Sequence, residues 1–381
     1  MAPIRTAIIG LSASGGWAKN AHLPYLISPA GKSKYNIIAL CNSSVKSAKQ
    51  AIEAYGFPPD TRAYGSPEDV AADPDVELVI VSTRVDKHYE TGLPSIKAGK
   101  NVYVEWPLAH NVDKARELAE LARETGAKTV IGLQGWYSPI VLTLQELLSS
   151  GRIGKVLSSQ VRGTGGTKDR EAMTPAGSYF TDKKIGGNFI TIIVGHVTEY
   201  IQHVLGDFEN VQSRLQIQRP QVKIVDPASG QTTKVVESDV PDLAFIQGTL
   251  PASATVVQGA SISITIRRGQ PFKGEPGLDW IIHGEKGEIR VRTYDGPAFN
   301  AGGDGAIIEV YDFASDEVHK VDWAYRDEYA GLPTLAQNIG ALYDAFASGD
   351  RSKYPDFERA VTRHKQLDGI LNDFSQADGS A

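Results

Sequence analysis

Small residues close to the amino end form a segment whose spacing is typical of diphosphate binding. A short apolar run, Thr6–Ile9, leads into Gly10, Leu11, Ser12, Ala13, Ser14, Gly15, Gly16 and Trp17. Small side chains and permissive dihedrals let backbone N–H groups approach a phosphate at the start of a helix. Gly10 and Gly15 match the outer glycines of the G-x-G-x-x-G motif, and Ser12 replaces the middle one. We therefore expect Gly10, Ser12, Ser14, Gly15, Gly16 and Trp17 to contact a dinucleotide; the alternative is a glycine-rich surface turn.

The end of the second expected strand indicates which dinucleotide is bound. A carboxylate there would hold the ribose 2′-hydroxyl of NAD. Cys41 is instead followed by Asn42, Ser43, Ser44, Val45 and Lys46. Because hydroxyls and an ammonium group suit a 2′-phosphate, Ser43, Ser44 and Lys46 favour NADP, with NAD still possible. Ser43 or Ser44 has an alternative role as the cap of the next helix.

The elements that position these residues alternate between strand and helix up to about residue 130. The expected strands are Thr6–Ile9, Ile37–Cys41, Leu78–Ser82, Asn101–Val104 and Thr129–Leu133, with helices that include Ser44–Tyr55 and Asp113–Thr125. Alternation of this kind predicts parallel βαβ units with right-handed crossovers. The fold class expected for residues 1–135 is therefore α/β, a doubly wound Rossmann domain.

Residues 136–375 have a different pattern and predict an α+β domain that includes the carboxy-terminal helices. After a helix at Ile140–Ser149, the expected strands are Val156–Arg162, Ala244–Leu250, Ser261–Arg267 and Trp280–His283, with a hairpin over His283–Val291. Period-two alternation predicts a large, mostly antiparallel open sheet. The segment Gly163–Gly187 is interpreted as a long loop, and residues 376–381 as a polar, frayed tail.

Composition excludes several classes of function. The chain has 381 residues, which suits two domains, and a net charge of −6, which argues against a nucleic-acid partner. No run of about 18 apolar residues occurs, so we expect no membrane span and a cytoplasmic location. A single cysteine, Cys41, excludes an intrachain disulfide, and the spacing of the eight histidines does not suggest a metal site.

Later motifs, in their order, resemble the Gfo/Idh/MocA oxidoreductase family. They are Ser82–His88, Val104–Ala109, Gly132–Pro139, and the set Gly186, Gly187, Gly195, His196 and Glu199. The resemblance implies a Rossmann domain, a second domain whose open sheet commonly mediates homodimers, and a small sugar-like or polyol-like substrate. Further cofactor contacts implied by it are Thr83, Arg84, His88, Glu105, Trp106, Pro107 and Gln134.

The chain departs from the family at the positions that move protons. Trp106 replaces the usual lysine of Glu-Lys-Pro, and Ile192 replaces the usual aspartate four residues before His196. An indole and an alkyl chain do not exchange protons at neutral pH. Arg84 stands near the position of a usual Pro-Asn pair, where it would bind an anion or remain a solvated loop cation.

Three functions remain open. The first, which we favour because the segment Gly163–Gly187 is rich in polar and aromatic residues, is an NADP-dependent oxidoreductase that transfers a hydride to or from a small hydroxyl or carbonyl substrate. His196 would be its acid or base, with Tyr179 and Lys168 as substitutes for the missing lysine. The alternatives are a hydrogen-bonded structural histidine, an aromatic side chain that only packs, and a lysine in a polar loop.

The second is a non-catalytic regulator, cytoplasmic or nuclear, that binds a dinucleotide and a protein partner. It is suggested because the Glu105-Trp106 and Gly195-His196 pairs resemble the branch of the family that contains the fungal galactose-regulon repressor. The third is a redox-neutral elimination or epimerisation assisted by bound cofactor.

Overall fold

The structure, a computed structural model, describes residues 2–167, 169–299, 302–303 and 305–377. The chain forms two compact units. The first comprises Met1–Gln134 and Tyr325–Lys365, and the second comprises Gly135–Ala324 and Gln366–Ala381. In their described parts, the first unit contains one sheet and the second contains two.

The described part of the first unit contains a six-stranded parallel sheet in the order β3-β2-β1-β4-β5-β6. Its strands are β1 (Ile4–Ile9), β2 (Tyr35–Cys41), β3 (Arg62–Tyr64), β4 (Leu78–Val81), β5 (Asn101–Val104) and β6 (Thr129–Ile131). The chain turns back at β1, whose neighbours are β2 and β4, so the doubly wound prediction is confirmed. β3 was not predicted, because an edge strand of three half-buried residues has no apolar signature.

Helices cover this sheet, and α6 begins at a polar cap. They are α1 (Leu23–Leu26), α2 (Pro29–Lys32), α3 (Val45–Ala54), α4 (Pro67–Ala72), α5 (Val85–Lys97) and α6 (Val112–Thr125), with a π-helical turn over Ala18–His22. The Asn111 side chain accepts a hydrogen bond from the Lys114 N–H at 2.9 Å, and α6 ends at Gly126 in the left-handed conformation.

The helices near the carboxy end require a correction to the domain boundaries. Sequence reasoning assigned them to residues 136–375, but α9 (Asp327–Ala330) and α10 (Thr334–Ala347) belong to the first unit. The Tyr343 hydroxyl of α10 lies 2.7 Å from His22 Nδ1, and Asp344 accepts hydrogen bonds from Tyr25 and Tyr329. A contact across more than 300 residues of sequence leaves no local signal. The last helix, α11 (Phe357–Ala377), includes the first residues of the predicted tail, and 378–381 lie outside the described residues.

The second unit contains, in its described part, an eight-stranded sheet in the order β17-β16-β15-β14-β7-β13-β12-β9. Its strands are β7 (Val156–Gly165), β9 (Glu209–Gln216), β12 (Leu243–Thr249), β13 (Val256–Arg268), β14 (Leu278–Gly284), β15 (Gly287–Thr293), β16 (Ile307–Asp312) and β17 (Glu317–Val321). Only the β7 and β13 pair is parallel within these residues, and the predicted hairpin is formed by β14 and β15. The open, mostly antiparallel sheet is confirmed.

The segment interpreted as a long loop, Gly163–Gly187, contains a short strand that belongs to a second, smaller sheet. β8 (Ala172–Met173) pairs with β10 (Gln221–Val225), which pairs in turn with β11 (Thr232–Glu237). Buried Met173, Val222 and Ile224 form a small core on which Phe180 packs. Sequence reasoning missed β8 because a two-residue strand depends on a partner about fifty residues away.

The remaining helices of the second unit are α7 (Pro139–Ser149) and α8 (Gly195–Leu205), with 3₁₀ turns over Gln134–Tyr137, Pro175–Thr181 and Lys183–Ile185 and a π-helical turn over Phe189–Val194. A 3₁₀ turn over Arg351–Lys353 separates α10 from α11. Across the described ranges, the helices are too short or too polar to cross a bilayer.

The contact between α10 and the first helical segment gives a stability prediction. Tyr343→Phe keeps the ring but removes the hydroxyl at His22 Nδ1, which leaves a buried nitrogen unpaired. We expect a loss of about 1–3 kcal/mol in the free energy of unfolding, measured by denaturant unfolding. The control is Tyr311→Phe, whose hydroxyl bonds exposed Asp316 and whose loss should cost less than about 0.5 kcal/mol. Equal losses in the two variants would contradict the assigned role of this contact.

Candidate functional site

Backbone geometry shows why glycine is required at the start of the amino-terminal loop. Gly10 has φ +100°, and a Cβ built on it would lie 2.4 Å from the carbonyl oxygen of Ser82. Gly10 also donates its N–H to the Cys41 carbonyl at 3.0 Å, so it is held between the ends of β2 and β4. Gly15 and Gly16 have φ +104° and +119°, and nothing lies within 4 Å of a Cβ at Gly16. Gly10 therefore serves strand packing as well as loop conformation.

The side chains of this loop are organised locally. Ser12 Oγ and Ser14 Oγ lie 2.8 Å apart on the surface, and the Ser12 carbonyl accepts a hydrogen bond from the Tyr55 hydroxyl at 2.5 Å. Trp17 directly precedes the π-helical turn, and its Nε1 is buried with no hydrogen-bond partner among the described residues. Asn42, which sequence reasoning passed over, donates from Nδ2 to the Leu11 carbonyl at 2.9 Å. Its position directly after β2 was the available signal.

The residues after β2 have separate roles. Ser44 caps α3, since its Oγ accepts from the Ser47 N–H at 3.1 Å and its own N–H donates to Ser47 Oγ at 3.2 Å. Ser43 is exposed. Lys46 is exposed in the first turn of α3 and pairs with no carboxylate in the described part of the chain. The capping alternative thus describes Ser44, and Ser43 and Lys46 present free polar groups at this strand end.

The loop after β4 contains buried polar atoms without a partner among the described residues, and it is also held by an ion pair and by hydrogen bonds. Ser82 Oγ and Thr83 Oγ1 are buried without a hydrogen-bond partner among the described residues. Arg84 makes a bidentate ion pair with Asp86 at 2.5 and 2.7 Å, which lowers the pKa of that carboxyl. Buried His88 places its two ring nitrogens 2.7 Å from the Pro107 carbonyl and 2.9 Å from the Thr83 carbonyl. His88 therefore ties this loop to the next one.

Glu105 lies in a buried polar chain. Its Oε1 accepts a hydrogen bond from the Tyr103 hydroxyl at 3.0 Å and lies 3.0 Å from His22 Nε2. Tyr343 continues the chain on the far side of the His22 ring. A Cβ at Gly132 would lie 2.7 Å from the same carboxylate oxygen, so glycine is needed there. Glu105 thus lies against residues from three segments of the first unit, and Tyr343 extends the chain to a fourth.

Trp106 points into the core of the first unit. Its side chain is buried, and its ring centroid lies 4.8 Å from that of His364. Burial, together with smaller effects of the nearby His110 and His88, lowers the pKa of His364 to about 3. The Trp106–Pro107 peptide bond is cis. The position at which the resemblance implies a lysine therefore holds an aromatic ring against a histidine that is neutral near pH 7.

Gln134 follows β6, as Ser82 and Thr83 follow β4 and Glu105 follows β5. It is fully buried, and both its Oε1 and Nε2 lack a hydrogen-bond partner among the described residues. Buried polar atoms are normally paired. Ser82 and Thr83 after β4 and Gln134 after β6 are unpaired at the carboxyl ends of parallel strands, where open α/β sheets bind ligands. The first unit therefore fits a dinucleotide, which would supply the missing partners.

Helix α8 carries the predicted acid or base of the second unit. His196 is buried in its first turn, and Ile192 lies in the preceding π-helical turn, which Asn188 caps. Glu199, three residues after His196, is buried and accepts a hydrogen bond from Trp136 Nε1 at 2.8 Å. Residues three apart on a helix are neighbours on its surface, so the imidazole and carboxylate share one face.

The other aromatic candidates have structural partners. The Trp136 indole stacks on His203 with centroids 4.0 Å apart and ring planes 8° from parallel. Tyr179 lies half-buried in the 3₁₀ turn Pro175–Thr181, with its ring edge-on to Phe180 at 4.8 Å. Lys168 lies outside the described residues. The structure thus anchors the Tyr179 segment through Phe180 to the small sheet.

The glycine loop gives a second stability prediction. Gly10→Ala places a methyl group on the Ser82 carbonyl at positive φ, whereas Gly16→Ala meets only the backbone strain. We expect Gly16→Ala to cost about 1 kcal/mol and Gly10→Ala about 3 kcal/mol or more in the free energy of unfolding. Thermal or urea unfolding measures both. Similar costs for the two would show that β1 and β4 do not approach as closely as described.

Comparison with protein families agrees with this geometry. Residues 4–133 match the oxidoreductase family with an NAD-binding Rossmann fold, and residues 139–293 match the Gal80p C-terminal domain. The chain is 32% identical over 371 residues to the dehydrogenase aclE of Aspergillus oryzae, which covers 97% of this chain and 95% of that protein. It is 28% identical over 298 residues to the galactose/lactose metabolism regulatory protein GAL80 of Saccharomyces cerevisiae, which covers 76% of this chain and 67% of that protein.

Solved structures show the same fold. A super-repressor mutant of Gal80p from Saccharomyces cerevisiae has a TM-score of 0.86 at 23% identity, covering 99% of this chain and 97% of that one. Levoglucosan dehydrogenase in complex with NADH and levoglucosan has a TM-score of 0.75 at 18% identity, covering 98% of each chain. The family models, the near full-length relative and the doubly wound sheet lead to one conclusion: the chain belongs to the Gfo/Idh/MocA oxidoreductase family, in its Gal80-like branch.

Proposed function

We propose that the chain is an NADP-dependent oxidoreductase that transfers a hydride between NADP(H) and a small sugar-like or polyol-like hydroxyl or carbonyl substrate. The observation that carries the proposal is the group of buried, unpaired polar atoms on Ser82, Thr83 and Gln134 at the strand ends of the first unit. The similarity to a protein named a dehydrogenase over almost the whole chain supports the choice of reaction.

The preference for NADP rests on the end of β2. No carboxylate follows that strand to hold a 2′-hydroxyl, and the Ser44 hydroxyl is used as a helix cap. The exposed Ser43 hydroxyl and Lys46 ammonium remain to bind a 2′-phosphate. A charged donor paired with a phosphate makes a stronger hydrogen bond than a neutral one, so Lys46 is the main determinant.

Charge reversal at Lys46 tests this preference. We expect Lys46→Glu to weaken NADP binding by about tenfold to a hundredfold in calorimetry and to leave NAD binding nearly unchanged. Lys49→Glu is the matched control, because Lys49 is also exposed on α3 but lies one turn further along. NADP binding that is equal in the two variants would rule out Lys46 as the 2′-phosphate contact.

The chemistry of the second unit is assigned to His196. A bound nicotinamide supplies the hydride donor or acceptor. The chain must then hold or move a proton at the substrate oxygen, and an imidazole does so near neutral pH. Trp106 and Ile192 cannot, and the Glu199 carboxylate is engaged by Trp136. Tyr179 and Lys168 remain the proposed secondary donors.

Removal of the imidazole tests the enzymatic proposal. NADP(H) absorbance is followed with a panel of sugars, polyols, ketones and imines, and His196→Ala should lower kcat by about 10²- to 10⁴-fold on any substrate turned over. His319→Ala, which removes a histidine exposed on β17, is the control and should retain full activity. Turnover that survives His196→Ala would assign the proton transfer to another residue.

A regulator that binds NADP without turnover is the second candidate. It is favoured by the burial of Trp106 against His364 at the position of the missing lysine and by the similarity to GAL80. Such a protein would bind a protein partner, and NADP binding without turnover on the whole panel would support it. In either case we propose a homodimer through the exposed face of the eight-stranded sheet, on which Phe245 is 47% exposed. Sedimentation velocity measures that assembly.

A further inference from the structure

Two arginines of the second unit share one carbonyl oxygen. Arg170 NH2 donates to the Gln270 carbonyl at 3.0 Å, and Arg267 NH2 donates to the same oxygen at 2.8 Å. The two nitrogens therefore lie less than about 6 Å apart, a separation at which like charges repel measurably. A neutral carbonyl orients both groups but leaves their charges in place.

No carboxylate among the described residues makes an ion pair with either arginine. Asp169 accepts the backbone N–H groups of Glu171 and Ala172 at 2.7 and 2.8 Å. Glu171 itself pairs with Lys223 at 3.0 Å. Burial lowers the pKa of Arg267, and Arg170 and Arg219 lower it further, so the nearby charges that act on Arg267 are positive. Arg170 and Arg267 thus bring two positive charges together with no carboxylate paired to either among the described residues, and an anion would supply that partner.

The backbone holds this arrangement rigidly. A Cβ at Gly269 would lie 2.4 Å from Arg170 Cγ, so the arginine packs directly against the glycine. Arg268, buried 3.6 Å from Asp242, donates from NH2 to the Arg170 carbonyl at 3.1 Å. The Gly269 N–H donates to the Gly165 carbonyl at 3.0 Å. Because these side chains are already ordered, they would lose little conformational entropy when a ligand binds, which favours affinity.

Arg170 lines a pocket of about 710 Å³, and Arg267 reaches the edge of this pocket through its bond to the Gln270 carbonyl. The lining also includes Asp169, Glu171, Gln270, Phe272 and Lys273. That volume lies within the range of small-molecule sites. Phe272 is 74% exposed, which is unusual for a large apolar side chain on a described surface. Lys273 adds a third cationic side chain beside it. An exposed ring next to fixed guanidinium groups suits a ligand with an anionic end and an apolar or aromatic body.

We propose that this pocket is a second binding site, for a small molecule that joins a phosphate or carboxylate group to an apolar or aromatic body. Arg170 and Arg267 bind the anionic group, and Phe272 packs against the body. None of these residues belongs to the proposed dinucleotide or proton-transfer sets, so the site is independent of the proposed function.

Calorimetry on the full chain tests the site with three probes: phenyl phosphate, benzoate and inorganic phosphate. We expect phenyl phosphate or benzoate to bind more tightly than inorganic phosphate, and the tighter of the two identifies the anionic group. Arg267→Gln should weaken that binding by about tenfold or more. Phe272→Ala should weaken phenyl phosphate and benzoate but leave inorganic phosphate unchanged. Lys234→Gln, at an exposed lysine on β11, is the control for net charge and should bind normally.

Three results would overturn the proposal. The first is that neither phenyl phosphate nor benzoate binds, and the second is that Lys234→Gln and Arg267→Gln weaken binding equally. The third is binding that survives both Arg267→Gln and Phe272→Ala but is lost in Lys46→Glu. The last result would place the anion in the first unit. Thermal unfolding of each variant checks the fold, and Phe272→Ala keeps the test decisive if Arg267→Gln unfolds, because that side chain is exposed.

Discussion

A buried carboxylate with neighbours from distant segments organises the first unit. Glu105 is removed from water, and a buried carboxyl group is tolerated only with polar partners. The Tyr103 hydroxyl of β5 donates one hydrogen bond, and His22 Nε2, from the turn that follows the glycine loop, lies 3.0 Å from the same carboxyl oxygen. Tyr343 of α10 then pairs with His22. One polar chain thus links the turn after the glycine loop, the Glu105–Pro107 segment and a helix from the far end of the sequence.

This arrangement explains how the chain can lose a lysine and keep its fold. Glu105 supplies the carboxyl group of the buried polar chain. The next residue takes no part in that chain and packs as an apolar group. Trp106 fills that space against His364, whose lowered pKa keeps it neutral. The first unit therefore provides binding groups for a cofactor, and the residues proposed for proton transfer lie in the second unit on and before α8.

The second unit combines a regular sheet with a segment that is ordered by non-local pairing. β8 and the small core around Met173 hold residues 169–181, which include both Arg170 and Tyr179. The same anchoring serves two proposed purposes, because it fixes a tyrosine near the segment that leads to α8 and a guanidinium at the separate pocket. A flexible loop of equal composition would pay the ordering entropy each time a ligand bound.

Local chemistry made the fold class predictable. Apolar periodicity located β1, β2, β4, β5 and β6, and the glycine pattern located the loop at Gly10, since short-range sterics act within a few residues. Ser44 shows the limit of such reasoning: the sequence allowed both a cap and a phosphate ligand, and only the tertiary structure shows the capping bonds with Ser47. The partners of Glu105, the placement of α10 in the first unit, β8 and the arginine pair were decided by tertiary structure. Each depends on groups that are far apart in sequence and meet only when the whole chain has packed.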